Sequence, residues 1–560
     1  MTIPAGAHLW GAFTARPDHG HDLAFGMGRH ICPARDLNVS LLWSFAVRVA
    51  ESYMIEPLDE TDVPKRDSAG VYPHRGFFAR FARFGGTTST AAVSAVPAAT
   101  PPDSVPRASA ASRPDRSERI AILGGGISGL TVAHELRKRG FQNVVVFEQA
   151  DSVGGKADTI EVDGRRYNLG AHLCNGHLGV AELCRDAGVG LVRERSYTLW
   201  DIDENRPIRR RYGHFAEIEK FQRFLEAHPE IDSDPGFAAT EGWMYPAMAP
   251  WLEAHDLVEL GEQVGAFYTG AGYGFMDQDV PAAFFMKFAR HMTNDGWTPQ
   301  GGYKNLLQRV AEGIEVRCGA EVTRVERGHA GAPEGAVRVA WRADGASHSE
   351  AFDKLVLTGP LEHAGRYLDA TPDESALFSR IRSLDYYTVV ATLTIEDPHP
   401  VGLSIVEKHT SSAAYTGHVT AFARMHEDAR VYHFWCYGRP DQTREDILEI
   451  VRADARRMGG EIATVHAFRK WAYFPHVSPH DMAMGFYRRL EAMQGAAATY
   501  YAGSLLAFEL TDYTVSYAKS LVERFFAEDA APLSANITET PASRAVAGPA
   551  DSVPRIPERG

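Results

Sequence analysis

Three glycines, Gly124, Gly126 and Gly129, fall in the pattern G-x-G-x-x-G inside the stretch "AILGGGISGL", with Ser128 just before the third. An acidic residue, Glu148, follows nineteen positions after Gly129. Residues of these types at this spacing can grip the diphosphate of a dinucleotide. The first glycine permits a tight turn, the second lets the backbone approach the pyrophosphate, and the third lets a helix pack close to a sheet. A helix N-terminus behind the turn adds partial positive charge. A carboxylate at position 148 accepts hydrogen bonds from a ribose diol and repels a 2′-phosphate, so an NADP-type ligand is disfavoured.

The flanking sequence supplies the elements that such a turn needs. "RIAILGGG" reads as a buried parallel strand ending in glycines, and "ISGLTVAHELRKRG" as an amphipathic helix closed by Gly140. "NVVVFEQ" reads as a second buried strand ahead of Glu148. Strand, turn, helix and strand form a βαβ unit, the start of a doubly wound α/β sheet.

Directly after Glu148 comes "QADSVGGKADTIEVDGRRYNLGAH". Its second glycine doublet, Gly154-Gly155, followed by Lys156, resembles the second flavin-contacting motif of the amine oxidase/phytoene desaturase superfamily. Gly170-Ala171-His172 resembles the next strand of that superfamily, which passes near the flavin. "PQGGYKNLLQRVAEG", "EVTRVERG", "KWAYFPHVSP" and "TYYAGSLLAFE" resemble, in the same order, its helix, adenine-side strand and closing elements. The resemblance implies FAD as cofactor, with Val322, Gly503 and Ser504 among its contacts. It also implies a Rossmann-type FAD-binding domain interleaved with a substrate domain. Ser504 departs from the family, which usually places there a glutamate that meets the ribityl or phosphate region. A serine hydroxyl can still hydrogen-bond.

More specific stretches narrow the resemblance. "GYGFMDQDVPAAFFMKF", "DKLVLTGPLEHAGRYLDATPDESALFSRI" and the region from "YFPHVSPH" to "SLVERFF" resemble the bacterial FAD-dependent polyenoic fatty acid isomerases, over about 119–526. That resemblance implies movement of a double bond in a polyunsaturated fatty acid to give a conjugated diene. The flavin N5 would take a hydride and return it elsewhere on the chain. Such chemistry needs a dry, apolar channel and aromatic faces that stabilise a cation. Tyr268, Tyr273, Trp471, Tyr473 and Phe474 are the aromatic candidates, and Arg193 and Arg195 the candidates for the carboxylate. The strand "LDYYTVVATLTIED" lacks the lysine that amine-oxidising relatives place near the flavin, which weakens an oxidase reading and suits hydride return or a different acceptor. The alternative is an FAD-dependent oxidase or desaturase of secondary metabolism. A non-catalytic flavin scaffold is a further reading. His172 and His177 are expected to line the cofactor pocket without titrating. With Cys174 they lack a fourth ligand, so no metal is expected.

The N-terminal stretch "DLAFGMGRHICPAR" raises a separate chemistry. Phe25-Gly26-x-Gly28-x-His30-x-Cys32 resembles the haem-thiolate loop of cytochromes P450, where the cysteine is the axial iron ligand and the histidine meets a propionate. The likeness covers about residues 22–80, and Ala34 departs from it where that family has glycine. Only 21 residues precede the loop, so the upstream helices that sandwich haem are missing. Cys32 as a haem ligand, in a P450–flavoprotein fusion, is therefore the minor reading, and haem is not expected.

Composition bounds the rest. Residues 85–118 are rich in Ala, Ser, Thr and Pro with no aromatic, so they cannot bury a core and read as a disordered linker. The expected organisation is a truncated P450-like segment (1–84), that linker, an FAD-dependent body (119–530) and a disordered tail (531–560). A net charge of −14 without a Lys/Arg run argues against nucleic acid as a partner. "SLLWSFAVRVA" is short and interrupted by Arg48, so no integral membrane association is expected. The five cysteines are scattered and there is no secretory signal, which suits a reducing, cytoplasmic compartment. The expected partner is a lipophilic small molecule, and the sequence leaves the oligomeric state open.

Overall fold

The computed structural model describes residues 115–527, apart from 177, 194–196, 209–214, 229–230, 232–234, 241, 293–295 and 329–336, together with 53–57 and 79–83. The chain divides into two units, Met1–Pro106 and Arg107–Gly560. In the first, Tyr53–Pro57 and Ala79–Arg83 pair antiparallel, with Tyr53 opposite Arg83. The cysteine loop around Cys32, most of the linker and the tail lie outside the described residues.

Beside two three-stranded sheets and one two-stranded sheet, the second unit is framed, among the described residues, by its two largest sheets. The smaller has five parallel strands in the spatial order Glu315–Arg317, Val144–Phe147, Ile120–Leu123, Lys354–Leu357, Thr499–Tyr501. Ile120–Leu123 and Val144–Phe147 are buried at every position, as expected of strands covered on both faces. The helix Ile127–Lys138 follows the first strand, and Leu130, Val132, Ala133 and Leu136 are fully buried. The doubly wound α/β unit expected from the sequence is present.

The larger sheet has seven strands: Arg206–Pro207, Tyr197–Asp201, Gly402–Val406, Val419–Arg424, Val431–Tyr437, Arg382–Ile395 and Gly460–His476. Its strands come from the segments 197–207 and 382–476, between the contributions to the parallel sheet. The chain therefore crosses repeatedly from one sheet to the other, and the interleaved architecture expected from the sequence is the one observed.

One buried ion cluster ties the adenine-side strand to the last parallel strand. Arg327, at the end of Glu321–Arg327, donates to both oxygens of Glu374 at 2.6 and 2.7 Å and to Asp369 at 2.7 Å. The Tyr501 hydroxyl donates to the same Glu374 carboxylate. Arg327 and Glu374 are almost wholly buried, so removing either would strand a charge, a loss of about 3–5 kcal/mol. Tyr501 in turn ends the strand that delivers Gly503. Among the described residues, no helix is long and apolar enough to cross a membrane.

Candidate active site

The glycine turn after Ile120–Leu123 is built by backbone approach. A Cβ on Gly129 would lie 2.0 Å from the carbonyl oxygen of Gly124, so only glycine lets the helix start this close to the turn. Gly126 is the helix N-cap, and among the described residues no side chain caps it. The N–H groups of the first helical turn are thus left for a ligand. A Cβ on Gly126 would meet nothing nearer than 3.8 Å, so it would project into open space above the turn. Ser128 is buried, and its hydroxyl has no hydrogen-bond partner among the described residues.

Glu148 lies at the end of the second strand, buried, where its carboxylate accepts from the N–H groups of Gly125 and Ala150, each at 2.8 Å. A carboxylate has further lone pairs to offer a ribose diol. The segment ahead of Val322 is fixed to Glu148: Ala320 N–H donates to the Glu148 carbonyl at 2.9 Å. The second glycine pair stacks on the first, since Gly154 N–H donates to the Gly125 carbonyl at 3.1 Å. Gly170 follows closely, and Ala171 N–H donates to the Lys156 carbonyl at 2.9 Å.

Gly170, Ala171 and His172 open onto a cavity of about 520 Å³. One wall is apolar, with Phe221, Leu260, Val264, Phe267, Leu403 and Ile405. The other is a box of tyrosines: the ring of Tyr473 is 6.1 Å from Tyr273 and 5.2 Å from Tyr386. Gly272, at φ +100°, makes this possible, because a Cβ there would lie 2.7 Å from the Tyr473 ring. Two of the hydroxyls are anchored, Tyr386 donating to the Gly270 carbonyl at 2.7 Å and Tyr273 to the Glu509 carbonyl at 2.8 Å. Burial raises the pKa of all three phenols, so the box is neutral.

Glu509 is the buried acid of the cavity. Burial pushes its carboxyl up, against the opposing pull of Lys156, with which it forms an ion pair. It also accepts from the N–H of Phe474, a residue held at φ +50°. Lys156 donates to the Ala472 carbonyl at 3.2 Å and lies 5.4 Å from the centre of the Tyr473 ring. Lys156 and Glu509 together pin the segment that carries Tyr473.

Residues 127–511 match the family of flavin containing amine oxidoreductases. The chain belongs to that family. It is an FAD-dependent enzyme of the amine oxidase superfamily. Among solved structures, this flavoenzyme is similar to the CLA-producing fatty acid isomerase from P. acnes, at 25% identity and a TM-score of 0.65, covering 74% of this chain and 100% of that one. It shares its fold with a putrescine oxidase triple mutant at 17% identity and a TM-score of 0.55, covering 73% and 98%. Among curated proteins it is 23% identical over 225 residues to a probable flavin-containing monoamine oxidase A of Dictyostelium discoideum, 36% of this chain and 48% of that protein. It is 46% identical over 56 residues to a 1-hydroxycarotenoid 3,4-desaturase of a Flavobacterium, 10% of this chain and 11% of that protein. The flavoenzyme spans about half the length, or less, of these two curated relatives.

The residues present fit FAD. The uncapped helix start, the orphaned Ser128 hydroxyl and the space above Gly126 suit a diphosphate.

The cavity wall of the flavoenzyme takes some of the sequence candidates and not others. Tyr273, Tyr473 and His172 line it. Tyr268 does not: one residue beyond Phe267 on the helix Val258–Gly270, it packs behind the lining rings of Tyr273 and Phe288, at 5.5 and 5.4 Å. Phe474, at φ +50°, is not among the lining residues and packs between Tyr273, at 5.6 Å, and His476, at 4.6 Å. Trp471 donates to the Thr388 hydroxyl at 3.1 Å and packs beside the cavity wall rather than on it. Arg193 is exposed on the strand Leu191–Arg193 and is not part of the wall, while Arg195 and His177 lie outside the described residues. Gly503 has φ +115°, and Ser504 opens the short helix Ser504–Ala507.

Sequence reasoning did not single out Glu509, Tyr386, Trp435 or His433. Glu509 and Tyr386 stood inside quoted motifs, but nothing in their spacing marked them. Their role depends on which sheet face turns to the cavity.

Proposed function

We propose that this flavoenzyme moves a hydride on a lipophilic small molecule, with double-bond isomerisation of a polyunsaturated fatty acid to a conjugated diene as the specific reaction. The observation that carries it is the cavity: an apolar wall facing a neutral tyrosine box, with no lysine or arginine among its described lining residues. Bound flavin supplies a two-electron hydride acceptor at N5. Gly124, Gly126, Ser128 and Gly129 hold the diphosphate, Glu148 the ribose, and Val322 the adenine side. Gly154, Gly155, Lys156, Gly170, Ala171, His172, Gly503 and Ser504 complete the cofactor shell.

The protein's task at the reacting carbon is to exclude water and to face developing positive charge with π density. Phe221, Leu260 and Val264 do the first, and Tyr273, Tyr386 and Tyr473 the second. The carboxylate of a fatty acid has no cation inside the described wall. It belongs at the rim, where Arg193 stands opposite Trp297, next in the chain to the cavity-lining Gly296. The similarity to the P. acnes fatty acid isomerase supports this choice of substrate.

The second reading, an oxidase or desaturase, is favoured by the 56-residue likeness to the carotenoid desaturase. Oxygen separates the two. Linoleic acid incubated with the holoenzyme should give equal amounts of conjugated diene with and without oxygen, and no peroxide. Stoichiometric peroxide, or product only in air, would replace the isomerase with the oxidase.

A further inference from the structure

Beside the cavity, a row of polar rings runs between the large sheet and the segment that holds Tyr167 and His172. Trp435, which lines the cavity, and His433 stand two residues apart on Val431–Tyr437 and so share a face. The cavity-lining His172 ring is 5.6 Å from Trp435 and 6.2 Å from His433. His433 is 5.5 Å from Tyr167, and Tyr167 is 5.2 Å from His426. His426 is partly exposed, in the turn between Val419–Arg424 and Val431–Tyr437. The row thus leads from the cavity to the surface.

Five buried polar atoms along it have no hydrogen-bond partner among the described residues: His172 Nδ1, both nitrogens of His433, the Tyr167 hydroxyl and His426 Nε2. Each orphaned group costs about 1–3 kcal/mol if left dry. Around them stand Val162, Leu169, Val390 and Ala467, which offer no polar side chain. Burial keeps His172 and His433 neutral, bringing the first down to about 4 and the second well below its ordinary value. A neutral imidazole has one donor and one acceptor nitrogen, and a phenol hydroxyl can both donate and accept. Such groups can take a proton on one side and release another on the far side. The rings touch one another edge-on or tilted, so a bridging water would sit at the orphaned nitrogens and hydroxyl on their rims.

We propose that His172, His433, Tyr167 and His426 form a water-bridged proton path between the cavity and the surface. The path rests on the reading that the cavity receives the flavin. When a substrate delivers a hydride, proton and electrons arrive together and no path is needed. When electrons arrive alone, a proton must follow from solvent, since the apolar wall offers none and Glu509, the acid among the described lining residues, is held in its ion pair with Lys156. The path lets this site exchange electrons with donors or acceptors that carry no hydrogen.

Reduced methyl viologen provides the test, because two of its radical cations give up two electrons and no proton. The holoenzyme is mixed with it anaerobically in weak buffer containing a pH indicator. Flavin bleaching reads the electrons and the dye reads the proton taken up. In the wild type the two should run together. His433→Leu, which removes two orphaned atoms, should keep its FAD and melt no lower than the wild type. Its proton uptake should nevertheless slow by about tenfold or more. His426→Gln, at the partly exposed end, should fold normally and slow uptake less. Unchanged proton uptake in both variants would overturn the path. Absence of flavin absorbance would overturn the cofactor reading and the path with it, and is distinguishable at a glance.

Discussion

Around the glycine turns, backbone atoms approach closely and side chains are kept away. Around the cavity, side chains meet from every direction and the backbone only spaces them. At Gly129 the cradle tolerates no added atom, because a Cβ there would lie 2.0 Å from the Gly124 carbonyl oxygen, whereas Gly126 opens onto the space left for a ligand. The cavity instead tunes what it admits through tyrosines whose hydroxyls are tied to carbonyls of Gly270 and Glu509. A fixed cofactor and a variable substrate ask for these different constructions. Lys156 joins the two, since it follows the second glycine pair and reaches Glu509 beneath Tyr473.

The largest effect should come from the cradle. Gly126→Trp should abolish FAD binding, because its side chain enters the space left for the diphosphate while the protein around it is uncrowded. Flavin absorbance after gel filtration checks this, and retained stoichiometric FAD would mean that the ligand does not lie there. The joint between the regions comes next. Glu509→Ala should cost about 1–2 kcal/mol in urea unfolding, because the Phe474 N–H loses its acceptor while water screens the partly exposed Lys156 ammonium. Glu509→Gln should recover part of that loss through the Phe474 N–H.

Smaller effects belong to the cavity. Tyr473→Leu should lower kcat by about tenfold and leave FAD content unchanged, as expected from losing one cation–π face worth about 1–2 kcal/mol. An equal fall in FAD occupancy would place Tyr473 in the cradle instead. The pH dependence of stability should be the mildest effect. Burial depresses His172, His291 and His399 from 6.5 to about 4, and His433 further. Their contribution is present above pH 6.5 and is lost as pH falls toward 4, because the unfolded chain then binds protons that the folded one refuses. The melting temperature should decline across that window, and His433→Leu should flatten the decline.

The two regions also differed in how far the sequence disclosed them. The cradle is local: strand, turn, helix and Glu148 lie within thirty residues, and each glycine has a steric reason that can be read without coordinates. The cavity is not local. Tyr273, Tyr386, Tyr473 and Glu509 converge from four distant segments, and which of two neighbouring aromatics faces inward depends on helix rotation or on one positive φ. Hence Tyr273 and Tyr473 were legible as candidates while Tyr268 and Phe474 could not be told apart from them. His433 had no local signal, because its partners, His172, Tyr167 and His426, meet only when the strand Arg165–Asn168 packs on the large sheet.

The central claim, a flavin cradle opening onto a dry cavity for an unsaturated chain, is tested most directly by one spectrum. The purified protein is incubated anaerobically with linoleic acid while its ultraviolet and visible absorbance is followed. Oxidised flavin bands, followed by a growing conjugated-diene band with the flavin again oxidised at the end, are the predicted result. Flavin that stays bleached, or a diene that never forms, would contradict hydride return in this cavity.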